Sequence, residues 1–235
     1  MGMFRGMVLG SVLIGLAGPA WAENFEGIVH FKSTHDGKTR EYDYLIKGNK
    51  ARIELGGAEG NRQFAVVVDP ENKKTLMLMP ERKMVMEMPM EEGKTDQPAS
   101  GKKHVSFTRT GKTDTILGHT CEQMLVKVED TETEICGARG MGYYAGMHRP
   151  SMGGPSDSAP AWAKELKEQG FFPLRVVSKG SDGTEKTRLE ATKVEQKTLD
   201  TSLFSAPPDY KAFDRGNMGG YGGPGSMGKR KPGGE

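Results

Sequence analysis

Methionine is the residue type whose placement in this sequence could do chemistry. Six of the fifteen methionines fall within residues 77–90: Met77, Met79, Met84, Met86, Met88 and Met90. In an extended chain, residues i and i+2 point to one side. Met77 and Met79 therefore share a face, and so do Met84, Met86, Met88 and Met90. A turn at Pro80-Glu81-Arg82-Lys83 would lay the two sets side by side. Three roles follow from the thioether. It fills irregular cores, it lines apolar cavities that adapt to ligands of variable shape, such as lipid or acyl chains, and it selects Cu(I) among metals. The copper alternative would use Met84, Met86 and Met88, with Met141, Met147, His148 and Met152 as further ligands from a later loop. The residues leave these three open.

Other motifs carry less. Gly-Lys-Thr occurs at 37–39, 93–95 and 111–113, but a phosphate-cradling loop needs a further Gly five positions upstream. Lys32, Met88 and Ser106 stand there instead, so these read as hairpin turns and loop residues. The five histidines, at 30, 35, 104, 119 and 148, have no ligand spacing. No Gly-x-Ser-x-Gly, His-Glu-x-x-His or dinucleotide fingerprint occurs. The expectation is a protein that is not an enzyme and has no cofactor, copper being the alternative. The two cysteines, Cys121 and Cys136, lack Cys-x-x-Cys spacing and read as a structural disulfide.

The compartment is written at the start of the chain. Arg5, an apolar run over Met7–Leu16 and Ala20-Trp21-Ala22 form a secretory signal peptide with cleavage after Ala22. The run is too short to span a bilayer, which takes roughly 20 residues, and no later segment is apolar enough to cross. The protein is expected in the periplasm or secreted. Lys and Arg number 33 against 31 Asp and Glu, which gives no electrostatic case for nucleic acid.

Residues 23–214 read as one β-rich domain. Strand candidates are 25–34, 41–47, 51–55, 63–69, 75–79, 84–88, 104–110, 113–117, 121–128, 133–138, 171–177 and 187–194, separated by turn signals such as Asp36-Gly37. Polar residues 91–103 read as a surface loop. Residues 137–158, rich in Gly, Met and Ser, form a long loop, and such loops are usually functional or disordered. One helix follows, with Ser158 as cap, Pro160 in its first turn and Gly170 at its end. Its Trp162 and Leu166, with Phe171 and Phe172, could cap a cavity from the helix side or pack as ordinary core. Residues 215–235 hold nine glycines and read as a disordered tail. The fold class is mainly β: a curved antiparallel sheet, a half-open barrel, with one lid-like helix.

Several pieces together resemble a known family. They are Phe25-Glu26-Gly27, the Lys47-Gly48 to Arg52 hairpin, Ile116-Leu117-Gly118 followed by Cys121, and Gly170-Phe171-Phe172-Pro173-Leu174-Arg175. The closing Leu199-Asp200-x-x-Leu203-Phe204-x-x-Pro207-x-x-Tyr210 is the most specific. They resemble the bacterial exported family catalogued as domain of unknown function 4412, over residues 24–212. That family is similar in layout to periplasmic lipoprotein carriers and their outer-membrane receptors, which are half-open barrels with helices as a lid over an apolar cavity. The resemblance implies a fold, and as partner a lipid or lipidated protein. This chain departs from the pattern at Cys136-Gly137-Ala138, where an aromatic would be expected after the 133–135 strand. Binding would then fall to the methionines at 77–90 with Trp162, Leu166, Phe171 and Phe172, the alternatives being a periplasmic copper-binding protein and a non-catalytic structural envelope protein.

Overall fold

The computed structural model describes residues 25–56, 62–90, 105–142, 144–146 and 161–213. Twelve strands form one sheet: β1 (Gly27–His35), β2 (Lys38–Lys47), β3 (Lys50–Gly56), β4 (Arg62–Asp69), β5 (Lys74–Met79), β6 (Met84–Pro89), β7 (Val105–Ile116), β8 (His119–Val128), β9 (Thr131–Arg139), β10 (Phe171–Lys179), β11 (Glu185–Gln196) and β12 (Lys211–Ala212). Among the described residues one α-helix, α1, spans Ala161–Glu168. The spatial order is β12-β6-β5-β4-β3-β2-β1-β11-β10-β9-β8-β7. Two meanders, β1–β6 and β7–β11, are therefore joined where β1 pairs with β11. The end strands do not meet, so the sheet is curled and half-open, as the alternation of apolar residues and turn signals implied. Tight turns set the register. Asp36 and Gly37 both take positive φ, 47° and 74°, the conformation that matches a two-residue hairpin to the strand twist.

Strands β2, β4 and β5 bury consecutive residues, so both faces of the sheet are covered there. On one face Tyr44, Ile46 and Ile53 join a core with Val29, Phe31, Met124, Ile135 and Leu189, and with Ala163 and Leu166 of α1. We call this the helix face. Tyr44 is its centre. Its ring stacks on Tyr144 and meets Phe31 and Phe172 edge-on, and its hydroxyl accepts a hydrogen bond from Ala145 N–H (2.7 Å). On the opposite face Leu45, Ala65, Val67, Leu76 and Leu78 pack with Leu199 and Phe204.

That second core exists because the chain returns. After β11 a strap, residues 197–213, crosses the back of β2–β5 and ends beside β6. Asp200 accepts a hydrogen bond from Ser202 N–H (2.8 Å) and so caps a short 3-10 turn, Thr201–Phe204. Lys47 donates to Leu199 O (2.9 Å) and Arg52 to Leu203 O (2.8 Å). The strap finishes as β12, parallel to β6, with Lys211 N–H bonded to Lys83 O and Phe213 N–H to Val85 O. Each member of the closing sequence motif thus has a task. Leu199 and Phe204 supply buried surface, Asp200 supplies the cap, and Pro207 accepts the Tyr210 N–H in the turn before β12.

Glu26 ties the strap to β2. Its carboxylate accepts from Lys47 Nζ (2.6 Å) and from Leu199 N–H (2.6 Å). The bond from Lys47, then that from Leu199, holds its pKa below the ordinary 4.5. A depressed folded pKa stabilises the fold fully above the unfolded value, and the gain is lost as pH falls through the folded one. The Tm gap between the native chain and Glu26→Gln is therefore expected to be constant near neutrality and to close as pH falls below about 4. A gap that persists at pH 3 would show that the carboxylate charge is not what holds the strap.

The sequence placed a break at Gly111-Lys112, and the structure has none: 105–116 is one strand. Arg109 pairs with Met124 and Thr113 with Glu122, so Thr110, Gly111 and Lys112 stand opposite Gln123 alone. The Gly that signalled a turn makes a bulge. The strap's end, β12, is a strand that short polar sequence did not reveal. Cys121 and Cys136 form the expected disulfide, their Cα atoms 5.3 Å apart on β8 and β9. Helix α1 ends at Gly170, with φ 69° and its N–H on Lys167 O. The signal peptide and its cleavage point, the 91–103 loop, the cap residues Ser158 and Pro160, most of the 137–158 loop with His148, and the Gly-rich tail lie outside the described residues.

Candidate functional site

The β5–β6 hairpin brings the methionines together. A short 3-10 turn over Pro80–Arg82, closed by Lys83 in the left-handed region, reverses the chain. Met77 then pairs with Met86, Met79 with Met84, and Thr75 with Met88. Five thioethers lie on one face: Met77, Met79 and Met86 are buried, Met84 and Met88 half-buried, and Phe213 of the strap packs against them. Met90 lies past β6, bonded through its N–H to Lys73 O.

Register places this patch on the helix face. Cross-strand partners run Tyr44–Ile53–Val66–Met77–Met86, and a second row runs Ile46–Ala51–Val68–Thr75–Met88. A third begins Phe31–Tyr42–Leu55–Phe64 and, by alternation from the Ala65–Leu78 pair, continues to Met79 and Met84. The methionines are thus one end of an apolar surface whose other end lies under α1. Leu55, Phe64 and Met84 are the half-buried members of the third row.

Tyr42 stands at the head of that row, and the sequence did not single it out. Its ring stacks on Phe31 at 5.3 Å between centroids. Its residue surface is 4% exposed, and its hydroxyl is buried with no hydrogen-bond partner among the described residues. Burial, then the neighbouring Tyr144 and Tyr44, pushes its pKa well above 10.0, so it stays a neutral donor. An unpartnered buried hydroxyl costs about 1–3 kcal/mol, and such a group in a native structure calls for a partner. Only alternation within Glu41–Lys47 marked this residue, and alternation cannot show which hydroxyl lacks a partner.

The aromatic and helical residues expected to cap a cavity sit apart from the thioethers. Leu166, Phe171 and Phe172 are buried in the main core, and Trp162 packs partly buried against it, stacked on Tyr144 at 5.9 Å. Arg139 lies over the Phe171 ring at 4.0 Å. Of the copper alternative's residues, Met84, Met86 and Met88 share one face, and Met141 is buried in the main core. Groups of three or more His, Cys, Asp or Glu able to hold a metal do not occur among the described residues.

A cavity of about 330 Å³ lies elsewhere, on β7–β10. Its walls include Thr110 and Lys112 of the β7 bulge, Gln123, Glu134, Arg175 and Val177. Arg175 donates to Asp114 (2.8 Å), and Lys179 to Glu134 (2.7 Å). The bond from Arg175, then the Thr115 N–H, holds the Asp114 carboxyl below its usual range.

Helices long and apolar enough to cross a membrane are absent among the described residues. No curated protein sequence matches the chain. Among solved structures, an uncharacterized conserved protein from Thermus thermophilus is similar in fold, with a TM-score of 0.50 and 9% identity over 82% of this chain and 91% of that one. The Pseudomonas aeruginosa MucA/MucB complex gives 0.46 and 12% over 82% and 59%. A putative outer membrane lipoprotein-sorting protein domain from Vibrio parahaemolyticus gives 0.35 and 10% over 78% and 91%. The half-open sheet, with the strap motif and the Phe25-Glu26-Gly27 start each holding a defined place in it, agrees with the family model that matches residues 25–210, and the chain belongs to the family described as Domain of unknown function (DUF4412).

Proposed function

We propose that this is an exported, non-catalytic binding protein that works in the periplasm and holds an acyl chain, of a lipid or of a lipidated protein, on the helix face between Tyr42 and the methionines. The observation that carries the reading is the unpartnered Tyr42 hydroxyl at the head of a continuous apolar row. From β2 to β6 are four strand steps, about 19 Å at a spacing of about 4.8 Å. That is close to the roughly 15 Å depth of one bilayer leaflet, half of about 30 Å. The polar end of the ligand takes the hydrogen bond from Tyr42. The chain enters past half-buried Leu55, Phe64 and Met84, and its tail packs among thioethers that adjust to chain length.

Tyr42→Phe separates function from folding. Removing the orphaned hydroxyl is expected to raise the stability of the empty protein by about 1 kcal/mol and to weaken a fluorescent fatty-acid probe about tenfold. Met84→Gln/Met88→Gln, at half-buried positions, is expected to weaken it without unfolding. Unchanged probe affinity in both folded variants would overturn the reading.

A second reading rests on the facing pairs Met77–Met86 and Met79–Met84. Neighbouring strands bring Cβ atoms of such pairs to about 5 Å, and two thioethers could then share one Cu(I). Competition with a Cu(I) chelator under reducing conditions tests it, and no copper uptake ends it.

A further inference from the structure

The cavity on β7–β10 is built by two irregularities of the sheet. In β7, three residues against one lift Thr110–Lys112 away from β8, and Thr110 Oγ1 returns to bond Gln123 O at 2.9 Å. Across the floor, the β9–β10 register slips between Pro173 and Arg175, leaving Leu174 without a partner on β9 and setting Arg175 beside Cys136. Gln123 pairs with Cys136 and Cys136 with Arg175; Leu125 pairs with Glu134 and Glu134 with Val177. These two rows point to the side opposite Met124, Ile135 and Val176. Each irregularity thus brings one cation to the same space, Lys112 at one wall and Arg175 at the other.

On the walls themselves Lys112 and Arg175 outnumber Glu134, while Glu190 of β11 stands opposite Arg175. Glu134 is held by Lys179, and Asp114 by one nitrogen of Arg175. Lys112 makes no ion pair among the described residues. Arg175 keeps donors beyond the one that Asp114 uses, in the planar fork that suits a carboxylate. Leu125 and Val177 give the wall an apolar stretch, and 330 Å³ lies within the range of small-molecule sites. Bulges are enriched beside functional sites because they re-aim side chains.

We propose that this cavity is a second binding site, separate from the acyl-chain face, for a small organic carboxylate. Lys112 and Arg175 take the carboxylate, the Gln123 side-chain amide offers a hydrogen bond, and a short apolar portion lies on Leu125 and Val177. The site does not depend on the acyl-chain reading, and its test does not touch the methionines.

The experiment is titration of sodium hexanoate, and separately inorganic phosphate, into the isotopically labelled mature protein, followed by amide and side-chain NMR. Saturable shifts at Gln123, Glu134 and Arg175 are expected, with phosphate at least tenfold weaker. Lys112→Met, at an exposed position, should weaken hexanoate at least fivefold, and Arg175→Gln at least tenfold. Arg175→Lys, which keeps a charge beside Asp114, serves as the folding control and should bind at intermediate strength. Tyr42→Phe should leave these shifts unchanged. Non-saturable shifts, phosphate equal to hexanoate, shifts confined to β2–β5, or undiminished binding by folded Lys112→Met would each overturn the proposal.

Discussion

Phe204→Ala should remove about 3–5 kcal/mol of stability, the usual range for emptying a buried aromatic site. Phe204 is 3% exposed and packs between the strap and the strands carrying Leu45, Val67, Leu76 and Leu78. Little around it can collapse into the space, because the strap is fixed at both ends. Lys47, Glu26 and Arg52 hold its start, and β12 holds its finish. Chemical denaturation measures the loss. A cost below about 1 kcal/mol would mean that the strap lies on a sheet already stable without it. The helix-face core should survive, so near-ultraviolet signals from Tyr44, Tyr144 and Trp162 should change less than the midpoint does.

Gly27→Ala should be costlier than its single methyl suggests. A Cβ at Gly27 would stand 2.0 Å from Glu195 O and 3.0 Å from Gln196 Cα, both backbone atoms of the facing strand. No side chain can turn aside to relieve this. Either β1 separates from β11 at its first pair, Gly27–Gln196, or the strand shifts. That pairing joins the two meanders, so the damage falls on the seam of the sheet. Overpacking alone costs about 1–3 kcal/mol, and lost pairing adds to it. Gly37→Ala is the contrast: space around it is open, and its penalty is confined to the positive φ of the turn. Equal melting points for the two variants would refute the clash.

Strand positions were legible in the sequence because alternation at Tyr42–Ile46 or Phe64–Val68 is local, and turn chemistry at Asp36-Gly37 is local too. The side-by-side methionines followed from the same rule applied across a four-residue turn. What stayed hidden is long-range. Nothing in Leu199-Asp200-x-x-Leu203-Phe204 says that it will lie on β2–β5, some 150 residues upstream. The closeness of β1 and β11 is equally silent. Of the candidate site, the methionine face was readable. The separation of Trp162, Leu166, Phe171 and Phe172 from it was not, since helix packing depends on the curl of the sheet. Gly111 misled because glycine serves turns and bulges alike. Tyr42 and the Lys112–Arg175 cavity depend on which atoms lack partners, and periodicity contains no such information.

The two ends of the sheet face a problem that folding alone does not solve, because an unpaired strand is a template on which further chains can polymerise. At one end β12 covers only Met84 and Val85, but the strap that delivers it lies alongside, and Pro89 has no N–H to offer a newcomer. At the other end β7 is twelve residues long and largely exposed. There the swelling at Thr110–Lys112 breaks the straight run of donors and acceptors into two short pieces, and Arg109 and Lys112 charge its margin. A device that shapes a cavity on one side thereby keeps the sheet finite on the other, so straightening it by deleting Gly111 and Lys112 should turn a dispersed protein into fibrils.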